Sequence, residues 1–554
     1  MIYTSPYEEV VIPEMDLWSL LFERKSKPFA DSKAIFTDSE TGRTYTFGDL
    51  RSTSLDFGRG LQALWDWQPG DVMAFYTPNN IDTPPAMLGL LCAGGIGSPA
   101  NPLYTESELA FQLKDSGAKA IATQMPFIET ARRAAKSVGI PENRIILIGD
   151  AHDPSGHFSH FSTIRSPSFL GRSTPVRVNA RKDLAFLVYS SGTTGMPKGV
   201  CLTHFNIVSN VLQMAAIDSL YVHPFGGIEG KGDKGLGITP FFHIYGLTCC
   251  IMAFIYNGWE LISMPRFDLE RACQLIEQYK ITFAYVPPPV ILAFSKHPAV
   301  EKYDLSSMRM FSSGAAPLTP ELVNTLWDRL KIAVKQGYGL SETAPVATMQ
   351  LLDDWGKFLG SVGKLAPNMQ ARLVDPDSDK DVEIGQPGEL WLKGPNVFPG
   401  YLNLPENTAA TMSSDGFFKT GDIFTADKHG NLTCVDRLKE LIKYKGFQVP
   451  PAELEGILLS HNDITDACVI GVEDKEQATE VPRAYVVMRA GLPTNSAKAK
   501  EIVEWLASRT APHKKLRGGV HFVNEVPKSP SGKLLRRVLR DKVRQAEKAG
   551  AAKL

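Results

Sequence analysis

The stretch YSSGTTGMPKGV, residues 189–200, decides how this chain reads. It places Ser190, Ser191, Thr193 and Thr194 among Gly192, Gly195 and Gly199, with Lys198 close behind. The apolar run LAFLV at 184–188 leads directly into it. Glycines let backbone N–H groups turn toward an anion, hydroxyls donate further hydrogen bonds, and a lysine supplies a point charge. The segment is expected to be a polyphosphate cradle at the end of a buried strand. Its order differs from G-x-x-x-x-G-K-[ST], so the fold that accompanies that loop does not follow. Gly230-Lys231-Gly232-Asp233-Lys234-Gly235 matches G-x-G-x-x-G, but no strand precedes it and a strand-like segment follows, so it reads as a loop.

The rest of the composition narrows the possibilities. The chain has 554 residues, 59 Lys plus Arg against 60 Asp plus Glu, and a net charge of −1. That balance, with 43% hydrophobic and 21% charged residues, excludes a disordered chain and a polybasic nucleic-acid binder. The length suggests roughly three or four folding units. Seven cysteines at 92, 201, 249, 250, 273, 434 and 468 form no C-x-x-C pair, which argues against a disulfide scaffold or zinc module and for a reducing compartment. The first sixteen residues carry Glu8, Glu9, Glu14 and Asp16 and no basic cluster, so no signal or transit peptide is expected. The most apolar stretch, GLTCCIMAFIYNGW at 246–259, is too short for a membrane span and reads as a buried helix. The sequon Asn431-Leu432-Thr433 has no secretory signal to accompany it.

Short apolar runs alternate with helical periodicities over the first four hundred residues, as in a layered α/β architecture. KAIF at 33–36 and TYTF at 44–47 flank a turn-rich segment and predict a hairpin; DVMAFY at 71–76 predicts a buried strand, and 84–92 an apolar helix. The character changes near Val435. Asp436 begins a densely charged segment, DRLKELIKYK, and Pro450-Pro451 then opens a helix. A strand is expected at 481–488 and an amphipathic helix at 497–508. Two domains follow from this reading, 1–436 and 437–554.

SSGTTGMPKGV resembles the signature loop of the adenylate-forming superfamily, which includes acyl-CoA synthetases, firefly luciferases and the adenylation domains of peptide synthetases. Further motifs follow in the family's order. Pro240-Phe241-Phe242-His243-Ile244-Tyr245-Gly246-Leu247 resembles the acyl-pocket segment, and Ser312-Ser313-Gly314-Ala315-Ala316-Pro317-Leu318 the adenine-side loop. Gln336-Gly337-Tyr338-Gly339-Leu340-Ser341-Glu342-Thr343 is similar to the nucleotide strand-turn, and Lys419-Thr420-Gly421-Asp422 to the ribose site. Asp436-Arg437-Leu438-Lys439 resembles the interdomain hinge, and Pro527-Lys528-Ser529-Pro530-Ser531-Gly532-Lys533 the catalytic lysine loop. Within the superfamily the pattern is closest to 4-coumarate–CoA ligases and luciferases; Met196 and Pro450 are its small departures.

The resemblance implies an α/β fold: a large N-terminal domain of stacked β-sheets with helices and a C-terminal β-barrel-like subdomain, and a small mobile α+β domain hinged near Lys439. It implies ATP, Mg²⁺ and coenzyme A as cofactors and a small carboxylic acid as substrate, an aryl, arylpropenoic or medium-chain acid. Ser190, Ser191, Gly192, Thr193, Thr194 and Lys198 would hold phosphates, with Gly314, Ala315, Ala316, Gln336, Gly337 and Tyr338 around the adenine. Thr343 would donate to the α-phosphate, Asp422 would accept the ribose hydroxyls with Arg437 beside it, and Glu342 would hold the metal. Lys533 would bridge carboxylate and phosphate, and in the second step Lys443 and Gln448 would replace it. His243 would gate a pocket formed by Tyr245, Cys249, Ser313, Gly314, Gly339, Pro345 and Val346.

A luciferase-like oxygenase and a stand-alone adenylation enzyme that loads a carrier protein are the alternatives, although no carrier domain follows in this sequence. The closing Ala552-Lys553-Leu554 resembles the peroxisomal address S-K-L, so an import receptor is an expected partner and the peroxisome the expected location, with the cytoplasm as the alternative.

Overall fold

A computed structural model of the chain describes residues 1–165, 175–190, 197–225, 230, 232–445, 447–474, 477, 479–529 and 532–551. Ser191, Gly192, Thr193, Thr194, Gly446 and the closing Ala552-Lys553-Leu554 lie outside the described residues.

The alternating apolar runs form two large sheets. In the first, Val72–Tyr76 is central and pairs in parallel with Ile96–Ala100 and Ala118–Thr123; Leu184–Ser190 continues the sheet toward an antiparallel edge made by Lys198–Thr203 and Gly400–Tyr401. The second is built on the parallel strands Lys234–Gly237, Phe283–Val286, Met310–Ser313 and Ala333–Gly339, with Ala34–Asp38 and Thr44–Thr46 as the predicted hairpin at one edge. One core joins them: Phe75, Phe186 and Val200 from the first sheet, Phe36, Leu261 and Phe283 from the second, and Ile207, Val208 and Val211 from the helix His204–Asp218 between them.

Local chemistry sets the helices. Phe47–Trp65 starts in a reciprocal cap between Thr46 and Asp49 and ends at Asp66 in the left-handed region. It crosses Thr83–Cys92 so closely that a Cβ on Gly58 would stand 2.6 Å from the Gly89 carbonyl oxygen, and one on Gly89 2.4 Å from that of Ser54. Only glycine fits at either position. The apolar stretch after Gly246 is a buried helix as expected, but Tyr245–Met252 winds with the wider π spacing before Ala253–Asn257 becomes α-helical. The G-x-G-x-x-G segment leads into the strand Lys234–Gly237 rather than a helix.

The β-barrel-like subdomain is a five-stranded sheet in which Gln370–Val374, Gly388–Lys393, Phe418–Ala426 and Leu432–Arg437 pair antiparallel in that order, joined by Tyr3–Thr4. Beyond it lies a separate apolar core with Ile442, Leu454, Val469, Val486, Leu506 and Leu539 as members. Its elements are a short hairpin, Ile442–Tyr444 with Phe447–Val449, the strands Ile464–Asp474, Thr479–Met488 and Val520–Phe522, and the helices Pro451–Ser460 and Ser496–Ala507. The basic final stretch becomes the helix Arg536–Ala551. Among the described residues no helix is long and apolar enough to cross a membrane, and all seven cysteines are unpaired.

Arg536 ties these parts together. Its guanidinium bonds Glu455 at 2.9 and 2.5 Å, pairs with Glu440, and lies 3.7 Å from Asp436. Asp436 closes the five-stranded sheet, Glu440 follows in the linker, and Glu455 belongs to the first helix of the last core. Burial pushes the Asp436 carboxyl up to about 6, against the pull of Arg536. Removing one partner of such a cluster leaves desolvated charges unbalanced. Arg536→Met is expected to destabilise the last core by about 3–5 kcal/mol, read as faster amide hydrogen exchange across 442–539; exchange at the wild-type rate would contradict it.

Candidate active site

A single cavity of about 1390 Å³ runs between the large body and the last core, lined from both. The order of the chain explains its position. The cradle is the connection of an antiparallel hairpin, Leu184–Ser190 to Lys198–Thr203, with Ser190 opposite Lys198. Ser190 and Lys198 line the cavity, while Ser191, Gly192, Thr193 and Thr194 fall outside the described residues. Lys198 Nζ sits 4.9 Å from the centre of the Tyr401 ring, and the Tyr401 hydroxyl donates to Glu342 Oε1 at 2.8 Å. Burial raises the Glu342 carboxyl above its ordinary value, opposed chiefly by the Tyr401 bond.

Asp422 lies on the long strand Phe418–Ala426, 4% exposed. Its Oδ2 accepts from the Tyr338 hydroxyl at 2.6 Å, and its Oδ1 lies 3.4 Å from Arg437 Nε on the neighbouring strand, where Asp422 and Arg437 are register partners. Tyr338 packs edge-on against Phe424 with centroids 4.7 Å apart. Ala315, in the loop after Met310–Ser313, has φ +74°, a left-handed turn that a side chain adopts only at some energetic expense.

Lys533 reaches this same place from the last core. A tight turn, in which Ser529 N–H bonds the Lys533 carbonyl at 2.8 Å and Ser529 Oγ accepts from Lys533 N–H at 3.1 Å, holds its backbone. Burial and the Arg437 charge pull its ammonium down to about 8, against the opposing pull of Glu440, Asp422 and Glu342. His243 is held at about 4, first by burial and then by the Lys533 charge. It is neutral near pH 7, and its Nδ1 accepts from Tyr245 N–H at 3.2 Å.

Tyr245, Cys249, Ser313, Gly339, Pro345 and Val346 line the cavity as expected. The Tyr245 hydroxyl donates to the Ser312 carbonyl at 2.8 Å, so its oxygen is left as an acceptor. Ser313 Oγ is buried with no hydrogen-bond partner among the described residues. At Gly339 a Cβ would lie 2.0 Å from the Pro345 carbonyl oxygen, so the space its missing side chain leaves is filled by backbone rather than opened to the pocket.

Three other expectations are corrected by position. Thr343 is fully buried; its hydroxyl donates to the Pro345 carbonyl and accepts from Leu340 N–H at 3.0 Å, so in this arrangement it is not free to donate to a phosphate. Gln336 is also buried, bonded to Gln350 through its backbone, and neither it nor Gly314 lines the cavity. Lys443 and Gln448, expected to act in the second step, are exposed, face each other across a hairpin of the last core and stand outside the cavity in this arrangement, unlike Lys439 at the linker. Sequence reasoning missed Tyr401, which carries no motif but pairs with the cradle strand, and Glu440, hidden within a charge run.

The motifs thus converge in space. Residues 22–402 match the family described as AMP-binding enzyme, and 453–533 match the AMP-binding enzyme C-terminal domain. The chain belongs to this family of AMP-binding enzymes. It is 37% identical over 553 residues to "Probable 4-coumarate--CoA ligase 1" of Dictyostelium discoideum, covering 97% of each chain. It is 38% identical over 550 residues to "4-coumarate--CoA ligase 2" of Petroselinum crispum, covering 98% of this chain and 97% of that one. The crystal structure of ATP-bound MatB from Rhodopseudomonas palustris superposes with a TM-score of 0.82 at 27% identity, covering 95% of this chain and 98% of that one.

Because Lys533 lowers the His243 value, Lys533→Ala is expected to move it upward from about 4 while leaving it below 6.5, since burial is the larger cause. Ring resonances followed by NMR through a pH titration check this, and an unmoved midpoint would place Lys533 too far from His243 to matter.

Proposed function

We propose that this chain is an ATP-dependent, AMP-forming acid–CoA ligase that makes an acyl-CoA thioester through an acyl-adenylate. The observation that carries the reading is the entry of Lys533, from the last core, into a cavity whose charged lining includes Asp422, Arg437, Glu342 and Lys198. A carboxylate has no usable leaving group, and conversion to a mixed anhydride with AMP supplies one. The acid's oxygen attacks the α-phosphorus of ATP and pyrophosphate departs; the coenzyme A thiol then attacks the acyl carbon, its proton is lost and AMP departs.

In the first step negative charge builds on phosphoryl oxygens, and preorganised cations lower its energy. Lys533 carries a charge that reaches His243 on the acid side, and Lys198 lies on the cradle side. Asp422 retains lone pairs for the ribose hydroxyls after accepting from Tyr338. Glu342 suits Mg²⁺: its Oε1 is oriented by Tyr401, its burial disfavours an uncompensated charge, and Mg²⁺ typically takes one or two protein carboxylates with substrate oxygens. The ion would screen the phosphate charge. Neutral His243 stands at the Tyr245 side of the cavity, where it can border the acid without adding charge.

In the second step, we propose that residues 437–554 rotate as a unit about Lys439, carrying Lys533 away and bringing Lys443 and Gln448 inward. Their exposure on a separate hairpin supports two working faces on one small domain. The relatives' names support an aryl or arylpropenoic acid. For a chain ending in Ala552-Lys553-Leu554 we also propose peroxisomal import; organelle targeting that persists when these residues are removed would overturn it.

Lys533→Ala is expected to lower acid-dependent ATP–pyrophosphate exchange by a factor on the order of 100 or more while ATP still binds. With the wild type, kcat/KM should hold below pH 8 and fall as pH rises through about 8, where Lys533 loses its proton. Lys443→Ala should spare exchange and slow thioester formation; equal loss of both half-reactions would sink the two-face reading.

A further inference from the structure

Beyond the acid side of the cavity lies a charge cluster that the chemistry above leaves unused. Lys335, on the strand Ala333–Gly339, and Asp218, the last residue of the helix His204–Asp218, form an ion pair whose side chains are 0% and 1% exposed. Asp218 Oδ2 also accepts from the Tyr285 hydroxyl at 2.6 Å, and Lys335 Nζ lies 3.1 Å from Met349 Sδ. Tyr285 and Met349 line the cavity beside Tyr245, Cys249 and Met214.

Burying two full charges costs desolvation energy, and apolar residues of equal volume are often as stable or more so. Stability is therefore a poor reason for the pair. Its geometric effect is to fix Tyr285. The phenol is held at its tip by Asp218, and its backbone carbonyl accepts from Thr239 Oγ1 at 2.5 Å. Behind the ring, Phe254 and Phe283 stack at 5.4 Å, and Phe283 and Phe254 meet Tyr285 edge-on at 5.9 and 6.4 Å. On the cavity side the Tyr245 ring meets it at 6.0 Å. Held at both ends and flanked by aromatic rings, Tyr285 is restrained against yielding to a longer ligand.

We infer, on the acid–CoA ligase reading above, that Tyr285 sets the depth of the acid pocket and that Asp218 and Lys335 are the positioning residues that hold it there. The substrate class is then acids whose skeleton ends against this ring, ring-sized or short, and long-chain fatty acids are turned away by the floor rather than by the mouth.

The test uses the full-length enzyme and three variants: Tyr285→Ala, Tyr285→Phe, and the double change Asp218→Leu with Lys335→Met, which removes both charges together. Acid-dependent ATP–pyrophosphate exchange is measured with straight-chain and para-alkylcinnamic acids of increasing length, alongside acyl-CoA formation. Tyr285→Ala is expected to raise kcat/KM for the longest acids relative to the shortest by about tenfold or more, through KM for the acid, with KM for ATP little changed. The double variant should shift the ranking in the same direction by less, and Tyr285→Phe should fold like the wild type and relax the cut-off slightly. An unchanged acid ranking in the variants that keep the wild-type circular dichroism and ATP KM would overturn the inference while leaving the ligase reading intact. Exchange without acyl-CoA formation would refute the ligase reading and still rank the acids; no exchange with any acid would overturn both.

Discussion

Arg536 is a buried cation between three carboxylates that come from three parts of the chain: a strand of the five-stranded sheet, the linker and a helix of the last core. Three residues before it stands Lys533. The guanidinium therefore fixes the start of the final helix against the linker, and the turn at Ser529 and Gly532 carries Lys533 from that anchor into the cavity. One cation and three anions leave the cluster with a residual negative charge. Glu440 belongs both to it and to the groups that pull on Lys533. Anchoring the last core and setting the charge state of Lys533 are thus one electrostatic problem.

The large body supplies the complementary surface. Two sheets share a core through a helix buried on nearly every face, so strand ends from both can open on one chamber. The groups around it are wired in pairs: Lys198 over Tyr401, Tyr401 to Glu342, Tyr338 to Asp422, Asp422 to Arg437. Each aromatic hydroxyl donates to a carboxylate and turns it, which limits the rotamers available before any ligand arrives. A chain with net charge near zero can present a polyphosphate site in this way because only a few cations need placing.

Much of the fold was legible because local signals agreed with it. The run at 184–188, the hairpin around Asp38-Ser39-Glu40-Thr41-Gly42 and the helix behind Pro450-Pro451 each carry a periodicity or a breaker that the structure keeps. The π winding at Tyr245–Met252 carried no such signal, since its residues suit an α-helix equally well. In the site, many described motif residues line one cavity, whereas Thr343 shows the limit of that reasoning: a motif gives proximity in sequence but not the direction of a hydroxyl, and here a backbone carbonyl claims it. Tyr401, Asp218 and Lys335 were invisible for a plainer reason. Each acts through a partner more than fifty residues away, and a single sequence does not encode such pairings locally.

The depressed Lys533 ammonium has a consequence for ligand arrival. A group poised near 8 is partly deprotonated in mildly alkaline solution, and an anion entering beside it favours the charged form. Occupation of the chamber then draws a proton from the solvent, so affinity and proton uptake are linked quantities. Above neutrality the heat of binding will depend on the ionisation enthalpy of the buffer, and the chamber behaves as a weak pH-stat that gains its cation at the moment an anion needs it.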